Sequence, residues 1–251
     1  MLIPGPHPVV AREEQTVDIP WPDGPLASLD LETTGRDPAS DRVLELALLL
    51  ERPGHPVEPL VDTLIDPGPE VVISPDASAV HGITRERLIA EAAPPAAQVL
   101  AEVRDTLARL ADDGIGVVIF NATFDWPLLA ADLARLDPPQ TLPDCRLIDP
   151  LVLDRHVDRY RKGKRTLEAA CGHYGIVLDD AHRAGADALA SLGVARAVGR
   201  VSPPVAGLDL DALQTLQVGA YATWRDSFND YLRRIDADRG PVTGDWPGTA
   251  G

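Results

Sequence analysis

Three apolar runs, at roughly 25–31, 43–51 and 57–65, follow one another with breaks at Gly35 and Pro38 and again at RPGHP, 52–56. Loops this short leave no space for helical crossovers, so the runs predict an antiparallel meander. After residue 75 the apolar period changes. Leu100, Val103, Leu107 and Leu110 recur at helical spacing in a segment opened by Pro94 and Pro95 and closed by Gly114. GVVIF, 116–120, reads as a short buried strand, followed by a helix to about Arg135, a strand near Cys145–Ile148, and helices around 166–174 and 183–199. Strand, helix, strand in that order implies parallel pairing. The pattern predicts an α/β domain over about 25–200, a mixed sheet with helices packed on it.

Residues 1–24 hold five prolines and residues 240–251 are rich in Gly and Pro, so both ends are predicted to be poorly ordered, the latter as a flexible tail. VSPPVAG, 201–207, reads as a linker into a last helix from about Asp209 to Arg234; linker and helix together fill 201–239 as a C-terminal helical extension. On that helix Tyr221, Trp224, Phe228 and Tyr231 recur at spacings of three, four and three, forming one aromatic face. Such a face either packs back on the parent domain or docks a protein partner or second copy through residues 221–231.

The longest unbroken apolar run is Leu46–Leu50, too short for a membrane span. The start, MLIPGPHP, carries neither a basic cluster nor an apolar segment of export length, which predicts a cytoplasmic protein. Cys145 and Cys171 form no CxxC pair and read as reduced thiols. A formal net charge of −16 argues against a polyanionic partner. Distribution outweighs the total, however, and RHVDRYRKGKR, 155–165, concentrates six Lys or Arg around one Asp.

SLDLETTG, 28–35, ends an apolar strand on two acids. Side chains alternate along a strand, so Asp30 and Glu32 share a face about 7 Å apart. Two like charges so placed call for a cation, and carboxylate oxygens suit Mg²⁺ or Mn²⁺; a strand end fraying into water is the plainer alternative. Asp125 follows the GVVIF strand, and Pro127 places the start of its helix close by, so Asp125 sits at the mouth of the sheet, as a ligand or an N-cap. In HRAGADA, 182–188, His182 precedes Asp187 by five residues, which turn a helix through about 500°. The pair fits a loop histidine beside a carboxylate anchored one turn inside the helix, though a surface His and a solvated Asp read the same way.

Taken in order, DLETTG at 30–35, VHGIT at 80–84, NATFD at 121–125 and HRAGADA at 182–188 resemble the DnaQ-like (DEDDh) 3′-to-5′ exonuclease family, with VLELA at 43–47, ISPDASAVHGIT at 73–84 and GKRTLEAACGHYGI at 163–176 as subsidiary pieces. The resemblance spans about 25–200 and implies a ribonuclease H-like fold with a five-stranded mixed sheet. It implies that Asp30, Glu32, Asp125 and Asp187 hold two divalent cations and that His182 is the general base. It also suggests substrate contacts at Thr33, Thr34, His81, Asn121 and Phe124, with Lys164 and Arg165 gripping phosphates. Two positions depart from the family: Phe120 stands where many relatives have His, and Arg36 where many have an apolar wedge, so Arg36 is a candidate for stacking on a base.

The expected activity is a metal-dependent 3′-to-5′ exonuclease releasing nucleoside 5′-monophosphates from single-stranded or 3′-frayed nucleic acid, DNA ahead of RNA, in DNA repair or proofreading. An exoribonuclease trimming short or structured RNA is the runner-up, and a non-catalytic adaptor using the aromatic helix a third.

Overall fold

In the computed structural model of the chain, which describes residues 19–235 and 238–248, the first strand has no solvent face along most of its length. β1 (Leu26–Thr33) pairs antiparallel with β2 (Val43–Glu51), and β2 pairs antiparallel with β3 (Glu58–Leu64). The predicted meander is present, with each apolar run becoming one strand. Three helices follow: α1 (Pro75–His81), α2 (Arg85–Ala90) and α3 (Ala96–Asp112). β4 (Gly116–Val118) then joins the sheet parallel to β1, α4 (Ala122–Ala134) crosses over, and β5 (Leu147–Ile148) pairs parallel with β4. The sheet order is β3-β2-β1-β4-β5, a five-stranded mixed sheet as expected. α5 (Pro150–Val157), α6 (Leu167–Tyr174), α7 (Ala184–Val201), α8 (Pro203–Ala206) and α9 (Leu210–Arg234) complete the chain.

The strand alternation divides the core. Ala27, Leu29 and Leu31 point to one side, where they meet Val99, Val103 and Leu107 of α3 and Leu128 of α4. Leu26 points to the other, toward Ala190, Val194 and Val198 of α7. Ser28 shares that second face, and its hydroxyl donates to the Ala188 carbonyl at 2.8 Å, tying α7 to β1. α7 lies close because it is rich in small residues: a methyl at Gly199 would meet the Trp21 ring and Pro22 Cβ, each at 2.9 Å.

Several expectations are corrected. Of the N-terminal extension, residues 1–18 lie outside the described residues, but Trp21 and Pro22 are buried, and the Trp21 indole N–H donates to the Val205 carbonyl at 2.9 Å. A Pro-rich segment is held here by one large aromatic filling the gap beside α7. The 201–207 linker contains α8, with Val205 buried in the same cluster. The 240–251 tail, whose residues 249–251 are not described, is not free: Trp246 is buried and its indole N–H donates to Asp149 at 3.1 Å. The last helix packs back on the domain, burying Leu213, Gln217, Tyr221 and Leu232, so of the aromatic face the packing alternative holds for Tyr221. α4 begins at Ala122 and runs through Pro127, three residues earlier than the proline suggested. Its first turn is fixed from outside, because the buried Asp149 carboxylate accepts from the Asn121 and Ala122 N–H groups at 3.0 and 2.9 Å. Among the described residues no helix is long and apolar enough to cross a membrane.

Candidate active site

β1 carries Asp30 and Glu32 on the Ser28 face, directed toward the start of α7, and the antiparallel register sets Glu45 of β2 directly opposite Glu32. Asp125 comes from the first turn of α4, which follows β4 in the sheet. Asp187 comes from the first turn of α7. Asp30, Glu32, Asp125 and Asp187, separated by up to 157 residues, line one pocket of about 390 Å³. Phe120, Phe124, Leu151 and Leu167 form its apolar walls, and Arg155 and Arg165 stand at its edge.

The electrostatics follow from that convergence. Asp30 is partly buried; desolvation, then the charges of Asp125, Asp187, Glu32 and Glu45, holds its carboxyl well above the usual range. Burial and the neighbouring Asp187 and Glu45 push Glu32 up to about 7. Asp125 is raised well above its ordinary value by burial first, then by Asp149 and Glu32, against partial relief from backbone N–H groups. Asp187 is raised by burial, with the His182 backbone N–H and ring opposing. Among these acids the only salt bridge in the described residues belongs to Glu45, whose carboxylate meets Arg183 at 3.1 Å.

These side chains fit divalent cations. Asp187 Oδ1 is buried with no hydrogen-bond partner, while Oδ2 accepts the His182 N–H at 3.2 Å. A buried carboxylate oxygen left unsatisfied beside three further acids needs a proton or a positive charge. The donor set is dominated by carboxylate oxygen, which matches hard ions. Ligand atoms of Glu32, His182 and Asp187 also lie within 4.8 Å of one another, so the imidazole reaches the acids. His182 is exposed in the loop entering α7, in a left-handed conformation with φ of 69°.

The other sequence candidates divide. Asn121 and Phe124 line the pocket. Thr33 and Thr34 are beside it but spend their hydroxyls on the fold: Thr33 Oγ1 donates to the Gly35 carbonyl at 2.6 Å, and Thr34 Oγ1 donates to Asp41 at 2.8 Å while accepting from the Arg42 N–H. His81 is buried and does likewise. Its Nδ1 accepts the Ile83 N–H at 3.1 Å, which leaves the proton on Nε2 to meet the Thr33 carbonyl at 3.2 Å. Burial lowers its pKa, keeping the ring neutral. These three residues shape the end of β1. Arg36 and Lys164 are exposed and lie away from the pocket lining, whereas Arg165 is anchored on Asp154 at 2.7 Å.

Three acids escaped the sequence reading. Glu45 sits in VLELA, the lone buried polar residue of β2, and the meander's pairing with Glu32 is the signal that marks it. Asp149 precedes Pro150 with no sequence signal to mark it; buried, it caps both α4 and α5. Asp154, also buried, accepts from Arg161, Arg165 and Tyr174 and so fixes the basic loop; these bonds outweigh burial and lower its pKa.

Comparison with known proteins agrees with this arrangement. The family model described as Exonuclease (RNase_T) matches residues 28–195. No curated protein sequence matches the chain. Among solved structures, Escherichia coli Exonuclease I in complex with a dT13 oligonucleotide is similar at a TM-score of 0.56 and 21% identity, covering 72% of this chain and 42% of that one. The zinc-bound form of the E. coli Exonuclease I–ssDNA complex gives 0.55 and 22%, covering 72% and 41%. Exonuclease X in complex with 5′ overhanging duplex DNA gives 0.54 and 21%, covering 76% of this chain and 99% of that one. The chain thus spans about two fifths of the Exonuclease I chains it matches. The match over two thirds of the sequence, with all four acids inside it, makes the chain a member of the DnaQ-like (DEDDh) exonuclease family.

Proposed function

We propose that the chain is a metal-dependent 3′-to-5′ exonuclease that releases nucleoside 5′-monophosphates from DNA 3′ ends. The observation that carries this is the convergence of Asp30, Glu32, Asp125 and Asp187 on one pocket with no basic partner among them in the described residues. These four would hold two divalent cations, Mg²⁺ or Mn²⁺, which when bound neutralise charge at phosphorus and acidify a water.

The chain's own groups account for the rest. His182 is the mobile base: exposed, anchored only through its backbone N–H to Asp187, it takes the proton of the attacking water at a ring nitrogen. Phe120, Phe124 and Leu167 exclude solvent around the terminal nucleotide, and Arg155 and Arg165 attract its phosphates. His81, Thr33 and Thr34 hold the end of β1, and with it Glu32, in register.

DNA is favoured because the structural neighbours are complexes with DNA. The test is incubation of 3′-tailed DNA and RNA oligonucleotides with Mg²⁺ or Mn²⁺, beside an Asp30→Asn control, with product mass determined. Metal-dependent loss of mononucleotides from DNA 3′ ends is expected. Loss from RNA alone would transfer the reading to an exoribonuclease, and no metal-dependent loss from either would refute catalysis and leave an adaptor.

A further inference from the structure

A second cavity, of about 1190 Å³, adjoins the candidate active site and shares Asn121, Arg155 and Arg165 with it. One wall is the basic stretch 155–165 and the other is the aromatic face of α9, two segments some 60 residues apart in the chain. Five arginines, at 155, 159, 161, 165 and 239, line it without a single carboxylate among the described residues, in a chain whose formal net charge is −16.

The arginines are only partly neutralised from behind. Asp154 is the only acid bound to any of them in the described residues, and it serves both Arg161 and Arg165, leaving one positive charge in excess. Arg155, Arg159 and Arg239 have no carboxylate partner among the described residues. Arg155 instead lies 3.7 Å from the centre of the Trp224 ring. Trp224 stacks on Phe228 at 5.5 Å and 12°, Phe228 stacks on Tyr231 at 6.3 Å and 28°, and Arg239 approaches Phe228 at 5.7 Å. The ladder starts at the mouth of the active site and ends in Tyr231, which is 47% exposed. The acids of α9, Asp211, Asp226 and Asp230, are paired with Arg146, Arg225 and Arg233 and do not line the cavity.

We propose that this groove is the track for a single-stranded polynucleotide, binding the nucleotides that precede the 3′-terminal residue. The guanidinium groups take the phosphates, and the exposed end of the aromatic ladder, Tyr231 above all, takes bases by stacking. A polyanion answers the uncompensated charge, whereas two copies joined symmetrically through this face would set arginines against arginines. The inference deepens the nuclease reading and rests on it for the direction of the strand. It reassigns the second half of the aromatic face from protein docking to nucleic acid.

The test uses 5′-fluorescein-labelled dT3 and dT15. Anisotropy is measured in EDTA, where nothing is hydrolysed, and the rate of dT3 and dT15 cleavage is measured in Mn²⁺. The variants are Arg159→Glu and Tyr231→Ala, both at exposed positions outside the catalytic machinery, with thermal melts to check folding. The wild type should bind dT15 at least tenfold tighter than dT3. Tyr231→Ala should reduce dT15 affinity about tenfold, and Arg159→Glu should lower the slope of log affinity against log salt by about 0.7, while cleavage of dT3 is unchanged. Binding independent of length in the wild type, or an undiminished preference in both variants, would overturn the track. So would a dimer seen by sedimentation that Tyr231→Ala dissolves without loss of dT15 affinity. Length-dependent binding lost in the variants, with no cleavage of either oligonucleotide by the wild type, would uphold the track and refute the nuclease reading.

Discussion

Replacing Glu32 by Gln should stabilise the metal-free protein at neutral pH. Glu32 titrates near 7 in the folded chain against 4.5 ordinarily, because burial and the charges of Asp187 and Glu45 disfavour its ionised form. Its folded value is raised, so its protonated form favours folding below pH 4.5, and that advantage is lost as pH climbs from 4.5 to 7. Above that window an ionised Glu32 opposes folding by about 3 kcal/mol. Removing the charge should therefore raise Tm by roughly 6–12 °C for a chain of this size. The measurement is thermal denaturation of wild type and Glu32→Gln in EDTA at pH 4.5 and pH 8. The difference should be near zero at the lower pH and fully developed at the higher. Adding Mn²⁺ at a hundred times its Kd should then stabilise the wild type by about 2.7 kcal/mol and the variant by clearly less. An equal difference at both pH values, or a variant less stable at pH 8, would refute the claim that these acids crowd one another.

Further outcomes can be checked independently. His182→Ala should lower kcat by about 10² to 10⁴ with Mn²⁺ affinity by calorimetry within threefold of wild type; since its ring reaches Glu32 and Asp187, a matching loss of affinity would make it a ligand. Gly199→Ala forces a methyl against Trp21 and Pro22, and urea denaturation should show a loss of about 1–3 kcal/mol. Deleting residues 208–251 exposes the faces that Leu213 and Tyr221 cover and leaves the Asp149 N–H and Leu147 carbonyl without Gln217; expression should give insoluble protein, and a soluble, active core would show that α9 is dispensable.

The meander strands were legible because each is a mostly apolar stretch bounded by Gly or Pro, and α3, α7 and α9 because each sustains its period over at least 17 residues. α1, α2 and α8 span seven residues or fewer, too few turns for a period to emerge, and of the two eight-residue helices the sequence predicts α6 and not α5. The four acids of the pocket and His182 were legible only as a set, since every one of them alone has a plainer reading. What the sequence hid was direction. Thr33, Thr34 and His81 occupy motif positions that suggest substrate contact, yet their polar atoms turn inward to the loop they stabilise. Trp246 was hidden for the opposite reason, because Gly and Pro around it suggested a free tail while its partner, Asp149, stands 97 residues earlier.

That long-range contact places the C-terminal segment in mechanical series with the acidic pocket. Asp149 holds the first turn of α4, which presents Asp125, and is itself held by Gln217 and Trp246. A protease clip near residue 240, or a bulky fusion that pulls Trp246 out, would loosen the grip on a pocket acid it never touches, and activity would fall before the fold did.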